Sequence, residues 1–315
     1  MRVGAGEYAF EADRHWARLP RFLGDVAGVA AGPAGEVYVF NRSEHPMIVL
    51  DAAGNVTSTW GGGIFTRPHA VRMTSQGTLL CVDDGAHALF HCTVAGEVLA
   101  VIGAPGVPAA AHSGLPFNRP TDAAIAGDGS YYISDGYGNA RVHHFDPDGR
   151  WIASWGAPGT GPGEFNLPHN ILVSGDFVYV ADRENHRIQV FDLSGAFQGF
   201  FGAALHRPSG IALLGEQLWV AEIGPYLSGN FGWPGLGPRL SVLDSAGQLL
   251  ARVEADPPAG PGDGQFISPH AIAVAPDRTI YVADVVCTGW PSLFPHEPPP
   301  ANLSGLHRLT PLEAR

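Results

Sequence analysis

A short strand-like phrase recurs six times along the chain, and this repetition constrains the fold more than any other feature of the sequence. The first copy is GEVYVFN at 35–41, and five related copies follow: GTLLCVDD (77–84), SYYISD (130–135), DFVYVAD (176–182), EQLWVAE (216–222) and RTIYVAD (278–284). Each copy is rich in β-branched and aromatic residues, which favour β-strands. Each also ends in a polar residue: Asn41, Asp84, Asp135, Asp182, Glu222 and Asp284. Spacings of 40 to 62 residues between these ends indicate a repeat protein.

A second phrase, a proline followed by small or polar residues and a short apolar run, precedes five of these strands. Its copies are spread along the chain: RPHAV (67–71), RPTDA (119–123), LPHNI (167–171), RPSGI (207–211) and SPHAI (268–272). After each strand comes a second alternating strand, with turns such as DPDG at 146–149 and closing Trp-Gly pairs at 60–61 and 155–156. One repeat therefore predicts a four-stranded antiparallel sheet, the unit of a β-propeller. We expect proline to open the innermost strand, where a missing N–H costs little.

The sixth repeat lacks an outermost strand of its own. Only GLHRLTP (305–311) follows its main strand, but EYAFEADRHWARL (7–19) has strand character and can complete the sheet. Such pairing removes the open edges of a linear array. We therefore predict an all-β, six-bladed β-propeller in which residues 1–315 form a single domain and the N-terminal strand closes the ring. Two insertions, at about 224–238 and 286–303, break the period, and we expect both to fold over one mouth of the channel.

Composition and charge narrow the classes of partner. Glycine and proline are abundant, with 42 and 27 residues, whereas charged residues make up only 15% of the chain, compared with about 25% in typical proteins. All 18 basic residues are arginine, so lysine chemistry such as Schiff-base formation is excluded. The formal charge of −12 disfavours nucleic-acid and anionic-membrane surfaces. We therefore expect a small-molecule partner and neither a nucleic acid nor a membrane.

The N-terminal segment and the cysteines bear on the compartment. The segment MRVGAGEYAFEADRHW has acidic residues where a signal peptide needs an unbroken apolar core, so we expect a cytoplasmic protein. We also expect a monomer. Three cysteines are too few for a disulfide framework. Cys81 and Cys92 stand on strands that should face each other in one hairpin, where they can pair, but a reducing compartment favours two free thiols.

Histidine follows proline in three of the five proline-led phrases. His69, His169 and His270 are separated by 100 and 101 residues, so they belong to alternate blades and should point at the axis about 120° apart. One histidine at this position would most often cap a strand, but the threefold pattern, with Thr121 and Ser209 on intervening blades, favours a metal site. Three neutral histidines and an open fourth position are typical of catalytic zinc. The sequence therefore predicts Zn²⁺ bound by these three residues.

Three further residues occupy the ends of the repeated strands. Arg42, Tyr137 and Arg183 follow the polar residue in blades one, three and four. An arginine fork suits a carboxylate, and a tyrosine among cations can act as a general base. The alternatives are that Arg183 forms a salt bridge between blades and that Tyr137 packs at the mouth of the channel.

The repeats resemble those of the NHL propellers. ADRENHRI (181–188) and SDGYGNARV (134–142) match the strand–Asp–x–x–Asn–x–Arg–Ile phrase of that family, and the resemblance covers nearly the whole chain. The three histidines together with Arg42, Tyr137 and Arg183 resemble the site of peptidyl-α-hydroxyglycine α-amidating lyase, the lyase half of peptide-amidating enzymes. The resemblance implies that the histidines hold zinc, the tyrosine is the base, and the arginines assist it and the substrate carboxylate.

The sequence departs from that family at two places. The family usually has an aspartate, a ligand of a structural calcium, directly after the third zinc histidine, but here that residue is Ala271. We therefore expect Ca²⁺ to be absent or bound without the usual carboxylate. A disulfide of the family would need cysteines where this chain has Asn118 and Gly138.

These observations lead to one functional hypothesis and two rivals. The hypothesis is a zinc-dependent lyase that cleaves the C–N bond of an α-hydroxyglycine-type carbinolamide into an amide and glyoxylate. One rival is a propeller lactonase or hydrolase that uses the same central metal, although gluconolactonase-like propellers are similar in using carboxylate and asparagine ligands for calcium. The other rival is a non-catalytic NHL-repeat scaffold, which would need no stoichiometric zinc.

Overall fold

The computed structural model describes residues 1–19, 23–202, 204–231, 233 and 235–313. Within these residues the chain forms 25 β-strands and one α-helix, and the strands make six antiparallel sheets. The arrangement is that of a six-bladed β-propeller, so the predicted all-β fold is confirmed.

Each predicted repeat corresponds to one sheet, which we call a blade. The chain begins with β1 (Arg2–Val3) and β2 (Phe10–Asp13), which belong to blade six. Blades one to three follow: β3 (Val26–Ala31), β4 (Val37–Asn41), β5 (Met47–Leu50) and β6 (Val56–Trp60); β7 (Pro68–Met73), β8 (Thr78–Asp83), β9 (Ala88–Thr93) and β10 (Val98–Gly103); β11 (Asp122–Ile125), β12 (Tyr131–Asp135), β13 (Arg141–Phe145) and β14 (Trp151–Trp155). Blades four to six complete the series: β15 (Pro168–Ser174), β16 (Phe177–Asp182), β17 (Arg187–Asp192) and β18 (Phe197–Phe201); β19 (Pro208–Leu214), β20 (Gln217–Glu222), β21 (Arg239–Leu243) and β22 (Leu249–Val253); β23 (Pro269–Val274), β24 (Ile280–Asp284), α1 (Val286–Leu293) and β25 (Leu306–Pro311).

The blades fall into two compact units. Trp60–Gly202 form the first, which contains blades two to four, and Met1–Thr59 with Ala203–Arg315 form the second. In the first unit, Tyr132, Phe165 and Phe191 are buried in a shared apolar core. In the second unit, Phe10 and Trp219 are fully buried in a comparable core. The single-domain organisation stays a prediction, and residues 314–315 of the predicted domain lie outside the described residues.

Proline opens the first strand of most blades, as predicted. It is the first residue of β7, β15, β19 and β23, each of which lies at one edge of its sheet. In blade three, Pro120 lies two residues before β11. Because an edge strand has one side without ladder partners, the missing N–H is tolerated there.

The N-terminal strand completes the last blade. β2 pairs antiparallel with β25, with Phe10 opposite Pro311 and Asp13 opposite Arg308. β1 adds a fifth strand outside β2, so this sheet is one strand larger than the predicted unit. The predicted closure by the N-terminal strand is therefore confirmed.

Arg14, directly after β2, anchors the N-terminal segment in blade six. Its side chain is fully buried, donates a hydrogen bond of 2.7 Å to the Gln265 carbonyl, and lies 3.5 Å from the Asp284 carboxylate. It also contacts His307 Nε2 at 3.2 Å. The Arg14 backbone N–H donates to Asp263 at 2.9 Å. Closure thus depends on a buried charge as well as on strand pairing.

In five blades the carboxylate that ends the repeated strand fastens the loop before the innermost strand of its own blade. Asp135 accepts a hydrogen bond from the Asn118 N–H at 2.9 Å. Asp182 accepts one from the Asn166 N–H at 2.7 Å. The corresponding acceptors in the remaining carboxylate-bearing blades are Asp83, Glu222 and Asp284. A buried carboxylate is tolerated here because backbone donors satisfy it.

Asp84, which we predicted as the strand end of blade two, does not have this role. β8 ends at Asp83, and Asp83 accepts from the backbone N–H groups of Thr66 and Arg67 at 2.6 and 2.8 Å. Two adjacent aspartates made the position ambiguous in the sequence. The prediction was therefore wrong by one residue, and Asp84 instead binds two arginine side chains.

The two insertions differ in structure. The second, at 286–303, begins with α1, whose first N–H groups are satisfied from a distant segment: Asp25 Oδ1 accepts from Cys287 and Thr288 at 2.7 and 3.0 Å. The first, at 224–238, contains a 3₁₀ turn at Ser228–Asn230, and its residues 232 and 234 lie outside the described residues. The expected position of both insertions over one mouth stays a prediction.

Cys81 and Cys92 lie on the adjacent strands β8 and β9, as predicted. They are not directly opposite, since Cys81 faces Phe90 and Cys92 faces Leu79. Both are buried free cysteines in the structure. Burial raises the pKa of the Cys81 thiol well above its ordinary value.

Candidate metal centre

The three predicted ligands occupy the same position in three blades. His69, His169 and His270 are the second residues of β7, β15 and β23. All three are buried, and their ligand atoms lie within 4.8 Å of one another. The structure therefore groups the histidines at a possible metal site.

Hydrogen bonds fix the tautomer of two of these imidazoles. His69 Nδ1 lies 2.5 Å from the Thr121 carbonyl, and His270 Nδ1 lies 2.7 Å from the Ala27 carbonyl. Because a carbonyl oxygen only accepts, each Nδ1 carries the proton. Nε2 is therefore the basic nitrogen in the neutral ring. Metal-binding histidines in proteins typically donate their second N–H in this way, so the donor set fits a zinc ion.

Tyr137 lies against two of the three histidines. Its hydroxyl oxygen is 2.9 Å from His69 Nε2 and 3.3 Å from His169 Nε2. Since His69 Nε2 is an acceptor, the Tyr137 O–H donates to it. The Tyr137 ring meets both imidazoles edge to face, at centroid distances of 5.2 and 6.0 Å. The predicted base and two predicted ligands thus form one contact cluster in the first unit.

Tyr137 stands on a turn packed against the preceding loop. At the next residue, Gly138, an added Cβ would lie 2.2 Å from Asn118 Oδ1. These are the two positions at which the related family has its disulfide, so they are adjacent here too. In place of a disulfide, Asn118 Nδ2 donates to the Ala109 carbonyl at 2.7 Å.

Polar contacts connect the innermost strands that carry the cluster. Arg72, on β7, donates to Asp122 of β11 at 2.6 Å and also to Asn170 of β15. The Asp122 carboxylate accepts from the Ile171 N–H at 3.1 Å as well. Charge-assisted hydrogen bonds are stronger than neutral ones. This network ties the strands of His69 and His169 together and supports a preorganised site.

The two predicted arginines have different surroundings. The Arg183 guanidinium carbon is 6.0 Å from the Tyr137 ring centroid, and its Nε donates to Glu184 at 2.8 Å. Arg42 belongs to the second unit, where its Nη1 lies 3.2 Å from Asp25. Asp25 is also the residue that caps α1, so the helix and Arg42 share one anchor.

Arg119 lies closer to Tyr137 than Arg183 does, and we did not predict a role for it. Its guanidinium carbon is 4.6 Å from the Tyr137 ring centroid, a cation–π distance. The sequence does contain a signal that could have pointed to Arg119, because arginine begins three of the five proline-led phrases.

Ala271 follows the third histidine, as the sequence shows, and supplies no side-chain oxygen for a hard cation. The expectation on calcium stays a prediction. In the part of the chain that the structure describes, no helix is long and apolar enough to cross a membrane.

Comparison with known proteins agrees with the resemblance seen in the sequence. The family model described as NHL repeat matches residues 165–191. The chain is 27% identical over 313 residues to peptidyl-glycine alpha-amidating monooxygenase A of Xenopus laevis, which covers 87% of this chain and 32% of that protein. It is 28% identical over 213 residues to the probable peptidyl-alpha-hydroxyglycine alpha-amidating lyase pgal-1 of Caenorhabditis elegans, which covers 58% of this chain and 60% of that protein.

A solved structure titled "Streptogramin B lyase structure" has the same fold. It aligns with a TM-score of 0.63 and 14% identity over 98% of this chain and 100% of that chain. The chain spans about a third of the length of the amidating monooxygenases that it matches. The similarity to NHL propellers and to amidating lyases is therefore confirmed.

Proposed function

We propose that this protein is a zinc-dependent carbon–nitrogen lyase that converts an α-hydroxyglycine-type carbinolamide into an amide and glyoxylate. The observation that carries the proposal is the contact of the Tyr137 hydroxyl with Nε2 of both His69 and His169. A tyrosine that merely packed at a surface would not need to reach two buried imidazoles. The names of the relatives, amidating monooxygenase and amidating lyase, support an enzyme of this class.

His69, His169 and His270 are the residues that would hold the metal. When bound by three neutral histidines, zinc polarises an oxygen ligand and favours its deprotonated form. The Nδ1 hydrogen bonds of His69 and His270 to carbonyl oxygens hold these rings with Nε2 free of a proton. The protein therefore orients both rings so that Nε2 can bind the metal.

Tyr137 acts as the base in this proposal. In its deprotonated form it removes the proton of the substrate hydroxyl, the resulting alkoxide forms the carbonyl of glyoxylate, and the C–N bond breaks. The departing amide nitrogen takes up the proton, so that atoms and charges balance. Arg183, which lies 6.0 Å from the Tyr137 ring, orients the substrate carboxylate, and Arg42 stabilises the negative charge on the tyrosine. The substrate is thus a small molecule with a carboxylate.

The experiment compares Tyr137→Phe with a matched variant of the same blade, Tyr131→Phe. Tyr131 also bonds a histidine, His91 Nδ1 at 2.9 Å, but it does not contact the three predicted ligands. We expect glyoxylate release from an N-acyl-α-hydroxyglycine to fall by about 10²–10⁴-fold in Tyr137→Phe. Zinc content and thermal stability should persist in both variants, and Tyr131→Phe should stay active.

Three outcomes would overturn the proposal. Equal glyoxylate release by wild type and Tyr137→Phe would remove Tyr137 from the mechanism. A zinc-loaded wild type that hydrolyses lactones but releases no glyoxylate from several acyl-hydroxyglycines would favour the hydrolase. A protein that binds no zinc would favour the scaffold.

A further inference from the structure

Arg119 presents an open cationic group beside the proposed base. Its guanidinium stacks 4.6 Å from the centroid of the Tyr137 ring, and 42% of its side-chain surface is exposed. The adjacent residues His69 and His169 are almost completely buried. Arg119 is therefore a cation near the cluster that an approaching solute can reach.

A fully buried carboxylate fixes the orientation of this guanidinium. Asp84 Oδ2 accepts from Arg119 Nη2 at 2.6 Å and from Arg119 Nε at 3.1 Å. The same oxygen accepts from Arg67 Nη1 at 2.5 Å. Two guanidinium groups share one carboxylate, so the group of three carries a net charge of +1. Within the described residues, Arg119 Nη1 has no hydrogen-bond partner and remains available to a ligand.

The backbone of Arg119 adopts a conformation that recurs at the equivalent position of other blades. Its φ is +62°, in the left-handed region that is uncommon for residues other than glycine. The Arg119 N–H donates to His87 Nδ1 at 3.0 Å. Leu167 and Arg207, which precede the proline of blades four and five, have φ values of +70° and +49°, so this conformation belongs to the repeat and places Arg119 at a fixed position in it.

Arg183, the other arginine beside Tyr137, is less exposed and already has a carboxylate partner. Its side chain is 9% exposed, and its Nε already donates to Glu184 at 2.8 Å. The positive charge of Arg183 is therefore balanced by a neighbouring carboxylate, whereas the Asp84 group has an excess positive charge. A carboxylate entering beside Tyr137 meets this excess charge at Arg119.

We propose that Arg119, held by Asp84, binds the carboxylate of the substrate together with Arg183, and that Arg119 gives the site its preference for acids over neutral analogues. This inference rests on the proposed function. In an α-hydroxyglycine the hydroxyl and the carboxylate are attached to the same carbon. A substrate whose hydroxyl reaches Tyr137 therefore brings its carboxylate close to a cation stacked on the Tyr137 ring. The Arg119 Nη1 can then donate a charge-assisted hydrogen bond to the substrate carboxylate.

The test measures the preference for the acid over its carboxamide, because an arginine with only a structural role would affect both substrates alike. Wild type, Arg119→Met, Arg119→Lys and Arg141→Met are compared for kcat/KM with an N-acyl-α-hydroxyglycine and with its carboxamide. Arg141 lies in blade three but takes no part in the Asp84 group, so it is the control. We expect Arg119→Met to lower the acid-over-amide preference by about 10- to 100-fold, the range for one charge-assisted hydrogen bond. Arg119→Lys should restore part of it, and Arg141→Met should keep it.

A binding measurement separates failure of this inference from failure of the proposed function. N-benzoylglycine and N-benzoylglycinamide are titrated calorimetrically into zinc-loaded wild type and Arg119→Met. If no glyoxylate forms but wild type prefers N-benzoylglycine and Arg119→Met does not, the carboxylate site stands and the lyase reaction is wrong. If glyoxylate forms but the acid preference is equal in wild type and Arg119→Met, the lyase stands and the role of Arg119 is refuted. Equal binding of both ligands by wild type also refutes it.

Discussion

Replacing Arg14 by methionine tests whether a buried charge holds the N-terminal segment in blade six. The side chain loses its hydrogen bond to the Gln265 carbonyl and its 3.5 Å ion pair with Asp284. Removing one partner of a buried ion pair costs about 3–5 kcal/mol. Methionine keeps an unbranched chain of similar length, so the cavity that remains is small.

Two features of the site place the expected loss at the lower end of that range. Asp284 keeps three donors in the variant, since His307 Nε2 and the N–H groups of Ile267 and Ser268 lie within 3.0 Å of its carboxylate. Methionine also removes two buried nitrogens of Arg14, Nε and Nη1, that have no protein partner. We therefore expect a loss of about 3 kcal/mol in the free energy of unfolding. An unfolding entropy of about 2.1 cal/mol/K per residue, applied to 315 residues, converts this to a fall in Tm of about 4–5 °C.

The assay is thermal and urea unfolding followed by circular dichroism, with Arg308→Met as the control. Arg308 also lies in blade six, but its ion pair with Asp13 is 3.9 Å long and partly exposed. Such surface pairs contribute about 0–1 kcal/mol. If Arg14→Met and Arg308→Met lower Tm by the same small amount, the buried charge does not hold the N-terminal segment, and strand pairing alone accounts for closure.

Three further predictions follow from the site and from blade six. Wild type should bind about one zinc per chain, as we infer from the three-histidine cluster. Elemental analysis should show loss of zinc in His169→Ala but not in His112→Ala, whose histidine is exposed. Unchanged zinc in His169→Ala would contradict the assignment. The free energy of unfolding should fall on acidification, because burial and the Arg14 charge lower the pKa of His307. The unfolded chain therefore takes up a proton at His307 as the pH drops through the ordinary value of 6.5, whereas the folded chain does not. Burial acts to raise the pKa of Asp284, but His307 and Arg14 outweigh it and lower that pKa, so a second loss is expected as the pH falls through the ordinary value of 3.8. Urea midpoints that do not decline from pH 7.5 to 5, or that are unaffected by His307→Gln, would show that His307 does not control acid stability, and a midpoint that does not fall further on acidification below the ordinary value of 3.8 would show the same for Asp284. A calcium chelator should change Tm little, since Ala271 supplies no carboxylate, and a large loss restored by added Ca²⁺ would show that another group binds the ion.

The strands and the grouping of the three histidines could be predicted because their signals are local. Proline and histidine stand side by side in the phrases that carry His69, His169 and His270, and equal spacing then implies equal position in alternate sheets. Helix α1 gave no such signal, because its first turn is capped by Asp25, 262 residues earlier in the chain. The proximity of Arg119 to Tyr137 depends on anchoring of the Arg119 guanidinium to Asp84, a contact that no motif reveals. What the sequence could not predict is thus set by tertiary contacts.

The pairing of β2 with β25 has a consequence for synthesis on the ribosome. Glu11 and Thr310 are direct partners in the sheet, although about 300 residues of chain separate them. At about 5–20 residues per second, β2 waits roughly 15–60 s for its partner strand to be made. During that interval its hydrogen-bonding edge is open to other chains. The buried aromatic residue of β2, Phe10, is also without its final surroundings until β25 arrives, so we expect nascent chains of this protein to need protection from aggregation until the last blade is complete.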